Sequence, residues 1–184
     1  MNTALSTTDG PAPCCIILNG VPGAGKTTVA RLLAARMPRA AYVSGDAVAD
    51  MMVSGRVGVV SEPRAEAQRQ LLLRARNICS LADNFAAAGF TPVLDHVVPD
   101  RAVLELMTDS LRVRPVFFVT LAPSLEVAAH RNATRDARER VPYEFGDLDR
   151  GMRAELGDVG LWLDTSELTA AETVAAIEEK LGKG

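Results

Sequence analysis

Only two histidines occur in this chain, His96 and His130, too few for a histidine metal site. The cysteines are three, Cys14, Cys15 and Cys79, and they show no metal-binding spacing. Two fall in an apolar run and one in a helical pattern, so they read as buried thiols of a reducing cytoplasm. No excess of positive charge exists. The net charge is −3, which argues against a long nucleic-acid acceptor and against attraction to a membrane surface. No apolar run approaches the length of a membrane span. Met1 to Pro13 lacks a positive start and an apolar segment, so it does not read as a secretory signal. It is expected to be a flexible lead-in to a single domain over residues 14–184. Internal repeats, linkers and low-complexity tracts are also missing.

What the sequence does have is concentrated in one stretch. Gly20-Val21-Pro22-Gly23-Ala24-Gly25-Lys26-Thr27-Thr28 matches G-x-x-x-x-G-K-[ST] in full. A short apolar run, Cys14 to Leu18, precedes it and reads as a buried strand. A helical pattern with apolar residues at 29, 32, 33 and 37 follows it. In that setting the glycines bring backbone N–H groups against phosphate oxygens, and the helix start adds unpaired donors. Lys26 offers a charge to the β- and γ-phosphates, and the Thr27 hydroxyl a ligand for Mg²⁺. Thr28 is placed behind it. The stretch implies binding of a nucleoside triphosphate.

Strands alternate with helices along the rest of the chain. Further strands are expected at residues 41–44, 91–94, 116–121 and 161–164, and helices at 26–37, 47–54, from 62 or 63 to about 88, after Asp100, after Ser124 and from the capping box Thr169–Glu172. Leu71, Ala75, Ile78, Ala82 and Phe85 form the expected buried stripe of the long helix. The alternation predicts an α/β fold, a parallel sheet covered on both faces. Residues 131–155 are arginine- and acid-rich and weakly periodic, and read as a mobile lid that excludes water.

Ligands of such sheets collect at the carboxyl ends of the strands, so the residues there are the candidates for chemistry. Asp46 follows the second strand. It reads as a general base or an orienting group for an acceptor hydroxyl, or as the cap of the helix at 47–54. Asp95 reads as a holder of Mg²⁺ waters, an acceptor ligand or a turn residue. His96 reads as a hydrogen-bond donor to the acceptor or as a packed side chain. Arg131, Arg135 and Arg138 are spaced to share a helix face, where guanidinium groups suit the charge on a transferring phosphoryl group. They also read as a solvated face paired with Asp136 and Glu139. Arg64 and Arg101 are further basic candidates on the acceptor side, each also readable as a surface charge. The apolar stretch Val48 to Val60, with Met51 and Met52, suits a partly apolar acceptor or ordinary packing.

Assembled, these residues resemble the small P-loop kinases of the nucleoside-monophosphate-kinase-like fold. The likeness is carried by Ile16 through Thr28, Ser44-Gly45-Asp46, Leu94-Asp95, the arginines from Arg131 onward and Leu163-Asp164-Thr165. Within that group the chain looks most like chloramphenicol phosphotransferase and gluconate- and shikimate-kinase-like proteins. The resemblance implies a three-layer fold with a five-stranded parallel sheet of order 2-3-1-4-5. It implies ATP and Mg²⁺ as donor and cofactor, and a small hydroxylated molecule, an antibiotic or a sugar-like compound, as acceptor. It further implies Asp46 as the catalytic carboxylate and Arg131 and Arg135 as lid arginines. The gluconate-kinase acceptor pattern is not found here. The expected protein is a cytoplasmic phosphotransferase, monomer or homodimer. A polynucleotide 5′-hydroxyl kinase is one alternative, since the segment from Asp95 to Arg101 looks somewhat like that group. An ATP-dependent ligand-binding resistance protein without transfer is the other. No guanine-reading Asn/Thr-Lys-x-Asp stretch occurs.

Overall fold

A computed structural model describes residues 13–182 apart from 60, 138, 139 and 143. All but one residue of the expected lead-in, and Arg138 of the arginine series, lie outside the described residues. Five strands form one parallel sheet: β1 (Cys15–Asn19), β2 (Ala40–Ser44), β3 (Thr91–Asp95), β4 (Val116–Leu121) and β5 (Leu161–Leu163). Their order is β2-β3-β1-β4-β5, as the resemblance implied. The registers set Leu18 beside Asp95, Ser44 beside Asp95 and Asn19 beside Thr120. The carboxyl ends of β2, β3, β1 and β4 therefore finish level, and the residues that follow them share one edge.

The alternation of strand side chains divides the core. Ile17 faces the helices α3 (Arg64–Ala87) and α4 (Arg101–Ser110), while Ile16 and Leu18 face α1 (Lys26–Arg36) and α7 (Ala170–Leu181). β1 is buried along its whole length, which is why it reads as an unbroken apolar run. The capping box at Thr169 and Glu172 is formed in full.

Three expectations change. The short helix after β2 is α2 (Gly45–Asp50), and its cap is Ser44, whose hydroxyl accepts from Ala47 N–H at 3.2 Å. Asp46 sits in the first turn instead and is free for another task. Phe85 leaves the buried stripe of α3; it is half exposed and packs edge-on to Phe90 beyond the helix end. The arginine-rich stretch is not one open cover. After α5 (Leu125–Ala133) the chain turns, and a second helix, α6 (Gly146–Leu156), buries Phe145, Met152 and Leu156. Those three are spaced seven and four apart, a helical stripe diluted by the charges between them. A connecting segment joins α5 to α6. The Asn132 amide holds its base, donating to Val141 O at 3.0 Å and accepting from Val141 N–H at 3.1 Å.

Candidate active site

The loop between β1 and α1 depends on its glycines. Gly23 has φ +81° and Gly25, the residue before α1, has φ +94°. A Cβ on Gly23 would lie 2.1 Å from the backbone oxygen of Ala128 in α5. The loop is thus pressed against α5, at the start of α1. Asn19, fully buried at the end of β1, steadies the base of the loop. Its amide oxygen accepts from Val98 N–H at 2.8 Å and its amide nitrogen reaches the Thr120 hydroxyl at 3.4 Å.

Lys26 is buried, and its ammonium donates to Val21 O across the loop at 3.2 Å. Burial pulls its pKa down; Asp95 and Asp46 push it up, and Arg135 and Arg74 push it down again. The ammonium therefore feels carboxylates and guanidiniums from both sides of the cleft. Thr27, the next residue, donates its hydroxyl to Asp95 Oδ2 at 2.6 Å. The Tyr42 hydroxyl donates to the same oxygen at 3.1 Å. The residues present suit a magnesium–nucleotide complex: a hydroxyl and a carboxylate in contact, a buried lysine beside them, and a glycine loop seated against α5 with no room for a Cβ at Gly23. Among the described residues no group of three or more His, Cys, Asp or Glu could hold a metal. Magnesium would come to Thr27 and Asp95 together with phosphate oxygens, its usual habit.

Beside the loop lies a cavity of about 430 Å³. Gly23 to Gly25, Thr28, Arg131, Arg135, Thr165 and Ala170 are among its walls. The Thr165 hydroxyl is buried there with no hydrogen-bond partner among the described residues. Such a group suits a ligand that brings its own polar atoms. Arg131 and Arg135 do not share a helix face, because α5 ends at Ala133. Arg131 turns inward and donates to Thr165 O at 2.9 Å, fastening α5 to the loop after β5. Arg135 lies past the helix end, lines the cavity and acts on Lys26.

On the other side of the sheet edge, Asp46 projects from α2 into solvent. Its partner is Arg74 of α3, whose NH1 lies 3.4 Å from Asp46 Oδ1. The exposures are opposite: 85% for the Asp46 side chain and 7% for Arg74. His96 lies behind them, buried, with both ring nitrogens lacking a hydrogen-bond partner among the described residues. Burial, then the charges of Arg74 and Lys26, hold its pKa well below the ordinary histidine value, so the ring is neutral. Gly45 packs against it; a Cβ there would meet His96 Nδ1 at 2.6 Å. A smaller cavity of about 40 Å³ adjoins Arg74 and is lined by Ala49, Met52, Val57 and Leu71 among others. The loop over it, residues 51–59, is tied to α3 by Gln70. That amide accepts from Val57 N–H and donates to Gly55 O, each at 2.8 Å.

The structure gathers Lys26, Thr27, Asp95, His96 and Asp46 at one edge, with Arg131 and Arg135 on the far wall. Arg64 and Arg101 are not brought into contact with that group. Arg64 pairs with Glu62 at 3.1 Å, and Arg101 with Asp158 at 2.7 Å. Arg74, Gln70 and Tyr42 are site residues that sequence reasoning passed over. Arg74 carried a signal: it falls between Leu71 and Ile78, on the apolar side of α3, where a charge needs a reason. Tyr42 and Gln70 carried none.

Strand order and loop together define a P-loop NTPase of the small-kinase-like fold. A family model described as an AAA domain matches residues 15–153, and the chain belongs to that family. Solved structures show the same fold at low identity. An unliganded sugar kinase from Janibacter sp. HTCC2649 is 18% identical, with 92% of this chain and 95% of that one covered and a TM-score of 0.71. A shikimate kinase from Bacteroides thetaiotaomicron is 16% identical over 92% of this chain and 98% of that one, with a TM-score of 0.67. The tunicamycin resistance protein of Deinococcus radiodurans is 20% identical over 92% and 96%, with a TM-score of 0.64. A search of curated proteins found no match.

Proposed function

We propose that this chain is an ATP-dependent phosphotransferase that phosphorylates a hydroxyl of a small molecule. The observation that carries the reading is the convergence on Lys26. Asp95, bonded to Thr27 on the nucleotide side, and Asp46, held by Arg74 on the open side, both act on that one buried ammonium. A donor phosphate on the loop and an acceptor at Asp46 would then meet over it.

ATP would be the phosphoryl donor, and a magnesium ion held at Thr27 and Asp95 would offset charge on the phosphate oxygens. The backbone N–H groups of residues 23–28 hold the phosphates, and the cavity walled by Thr28, Thr165 and Ala170 takes the base. Lys26 offsets charge as it builds on the transferring group, and Arg135 joins it from the loop beyond α5. Arg131 keeps the wall of the cavity in place. Asp46 accepts the proton of the attacking hydroxyl, while His96, expected as a donor to the acceptor, is enclosed behind Gly45 and is left out of the acceptor contacts. Most of the rate comes from positioning and electrostatics. Met52 and Val57, on the loop at 51–59, line the smaller cavity and offer apolar surface to part of an acceptor such as an antibiotic or a sugar derivative, the rest of which would lie outside that cavity. A sugar kinase and a tunicamycin resistance protein among similar structures agree with an acceptor of that class. The free thiols of Cys14, Cys15 and Cys79 agree with work in the cytoplasm.

The test is ADP release from MgATP across hydroxylated antibiotics, sugars, nucleosides and 5′-hydroxyl oligonucleotides. One class of small acceptor should raise the rate well above the acceptor-free rate and yield a phosphorylated product by mass. Stimulation by oligonucleotides alone would move the assignment to an end-kinase. ATP-stimulated ligand binding without ADP would move it to a binding protein.

A further inference from the structure

Asp95 is held by more than Thr27. Its side chain leaves the end of β3, where an aspartate's terminal torsion is broad and needs outside bonds to fix it. Two hydroxyls supply them, and both bind Oδ2: Thr27 at 2.6 Å and Tyr42 at 3.1 Å. Among the described residues no hydrogen bond reaches Oδ1, so that oxygen keeps its acceptor capacity. Tyr42 comes from β2, where it stands beside Val93, two residues before Asp95; the pleat puts Tyr42 and Asp95 on the same face.

The tyrosine is itself held. Arg31, four residues after Thr27 on α1, places its guanidinium 4.6 Å from the centroid of the Tyr42 ring. One face of α1 thus presents Thr27 to Asp95 and Arg31 to Tyr42. The phenol is stacked on one side, bonded at its tip, and half-buried. No step of the reaction described above uses it.

We propose that Tyr42 is a positioning residue for the magnesium ion of the nucleotide complex, acting through Asp95. This rests on the phosphotransferase reading only in requiring a metal–nucleotide complex at Thr27. Thr27 alone is a poor anchor for the carboxylate, because its oxygen is also the group that would bind the ion. Tyr42 is a second, independent donor that holds Asp95 Oδ2 while Oδ1 serves the ion's hydration shell. Partners of this kind tune metal affinity by orienting what touches the metal.

The test is Mn²⁺ binding, read by electron paramagnetic resonance, in the presence of a non-hydrolysable ATP analogue. Tyr42→Phe keeps the ring under Arg31 and removes only the hydroxyl. It should weaken Mn²⁺ about threefold to tenfold, below the full loss of an immediate partner of a ligand. Binding of the analogue without metal and the melting temperature should stay as in wild type. In an Asp95→Asn background the same change should add nothing, a readout that a merely structural role would not produce. Unchanged Mn²⁺ affinity in Tyr42→Phe, or an equal loss in the Asp95→Asn background, overturns the proposal. A wild-type protein that takes up no Mn²⁺ beside the nucleotide overturns it together with the metal–nucleotide reading, and is distinguished by failing before any substitution is made.

Discussion

Arg74 reaches Asp46 from beneath: a buried guanidinium on α3 lies 3.4 Å from a carboxylate exposed on the first turn of α2. The arginine has given up its solvent, and the aspartate has kept its own. Arg74→Leu should therefore leave Asp46 present but poorly aimed. Transfer should fall about 10–100-fold while the KM for ATP changes little, the signature of a misplaced reacting group. Arg74→Lys should restore only part of the rate, because a single ammonium does not reproduce the planar guanidinium. Steady-state kinetics of both variants, with equal turnover in all three proteins as the contrary result, decide the point.

Asp46→Asn removes the base and keeps the shape. Turnover should drop by about 10²–10⁴, and nucleotide affinity measured by titration calorimetry should stay the same. Undiminished turnover would remove Asp46 from the mechanism.

Gly23→Ala places a methyl 2.1 Å from the Ala128 carbonyl oxygen, at φ +81°, where a side chain is strained in any case. The loop must leave α5 to make room. Nucleotide binding should be lost, and stability should fall by about 1–3 kcal/mol from the backbone strain alone. A denaturant midpoint and an ATP titration on the same sample check both halves.

His96 links the site to acid stability. Its pKa in the folded chain is held well below the unfolded value by burial, with Arg74 and Lys26 acting in the same direction. The unfolded chain therefore takes up a proton first as pH falls. The neutral ring's contribution is complete above the unfolded pKa of about 6.5 and is lost below it, at up to about 1.4 kcal/mol per pH unit. Between pH 7 and 5 the wild type should lose more stability than His96→Leu. Parallel pH dependence of the two denaturation midpoints would contradict this.

Much of the frame was legible because it repeats. β1 announces itself as an unbroken apolar run, and the capping box marks α7 through two residues three apart. The phosphate loop needs each of its residue types in a fixed order, so a string suffices to find it. What stayed hidden depends on where distant segments meet. Tyr42 looks like any strand tyrosine until β2 lies beside β3. Gln70 is an ordinary helix glutamine until the loop at 51–59 folds back on it. The arginine spacing misled because it presumed a helix that stops at Ala133.

Gln70 offers a last prediction. Its amide is the tie between α3 and the loop over the smaller cavity, so Gln70→Leu should free that loop while the phosphate loop is untouched. The KM for the acceptor should change severalfold, that for ATP should not, and limited proteolysis should cut within residues 51–59 sooner. Equal cleavage rates and equal acceptor KM would show that Gln70 is not the tie.

The large cavity has walls from two segments far apart in the chain: Gly23 to Thr28 on one side, Thr165 to Thr173 on the other, with Arg131 fastened to the later segment. On a ribosome these walls are made at different times, the phosphate loop well before the surface opposite it. A nascent chain must therefore wait with its phosphate loop half enclosed, and nucleotide becomes a ligand only once both walls are made, able to reward closure of the fold but not to guide its beginning.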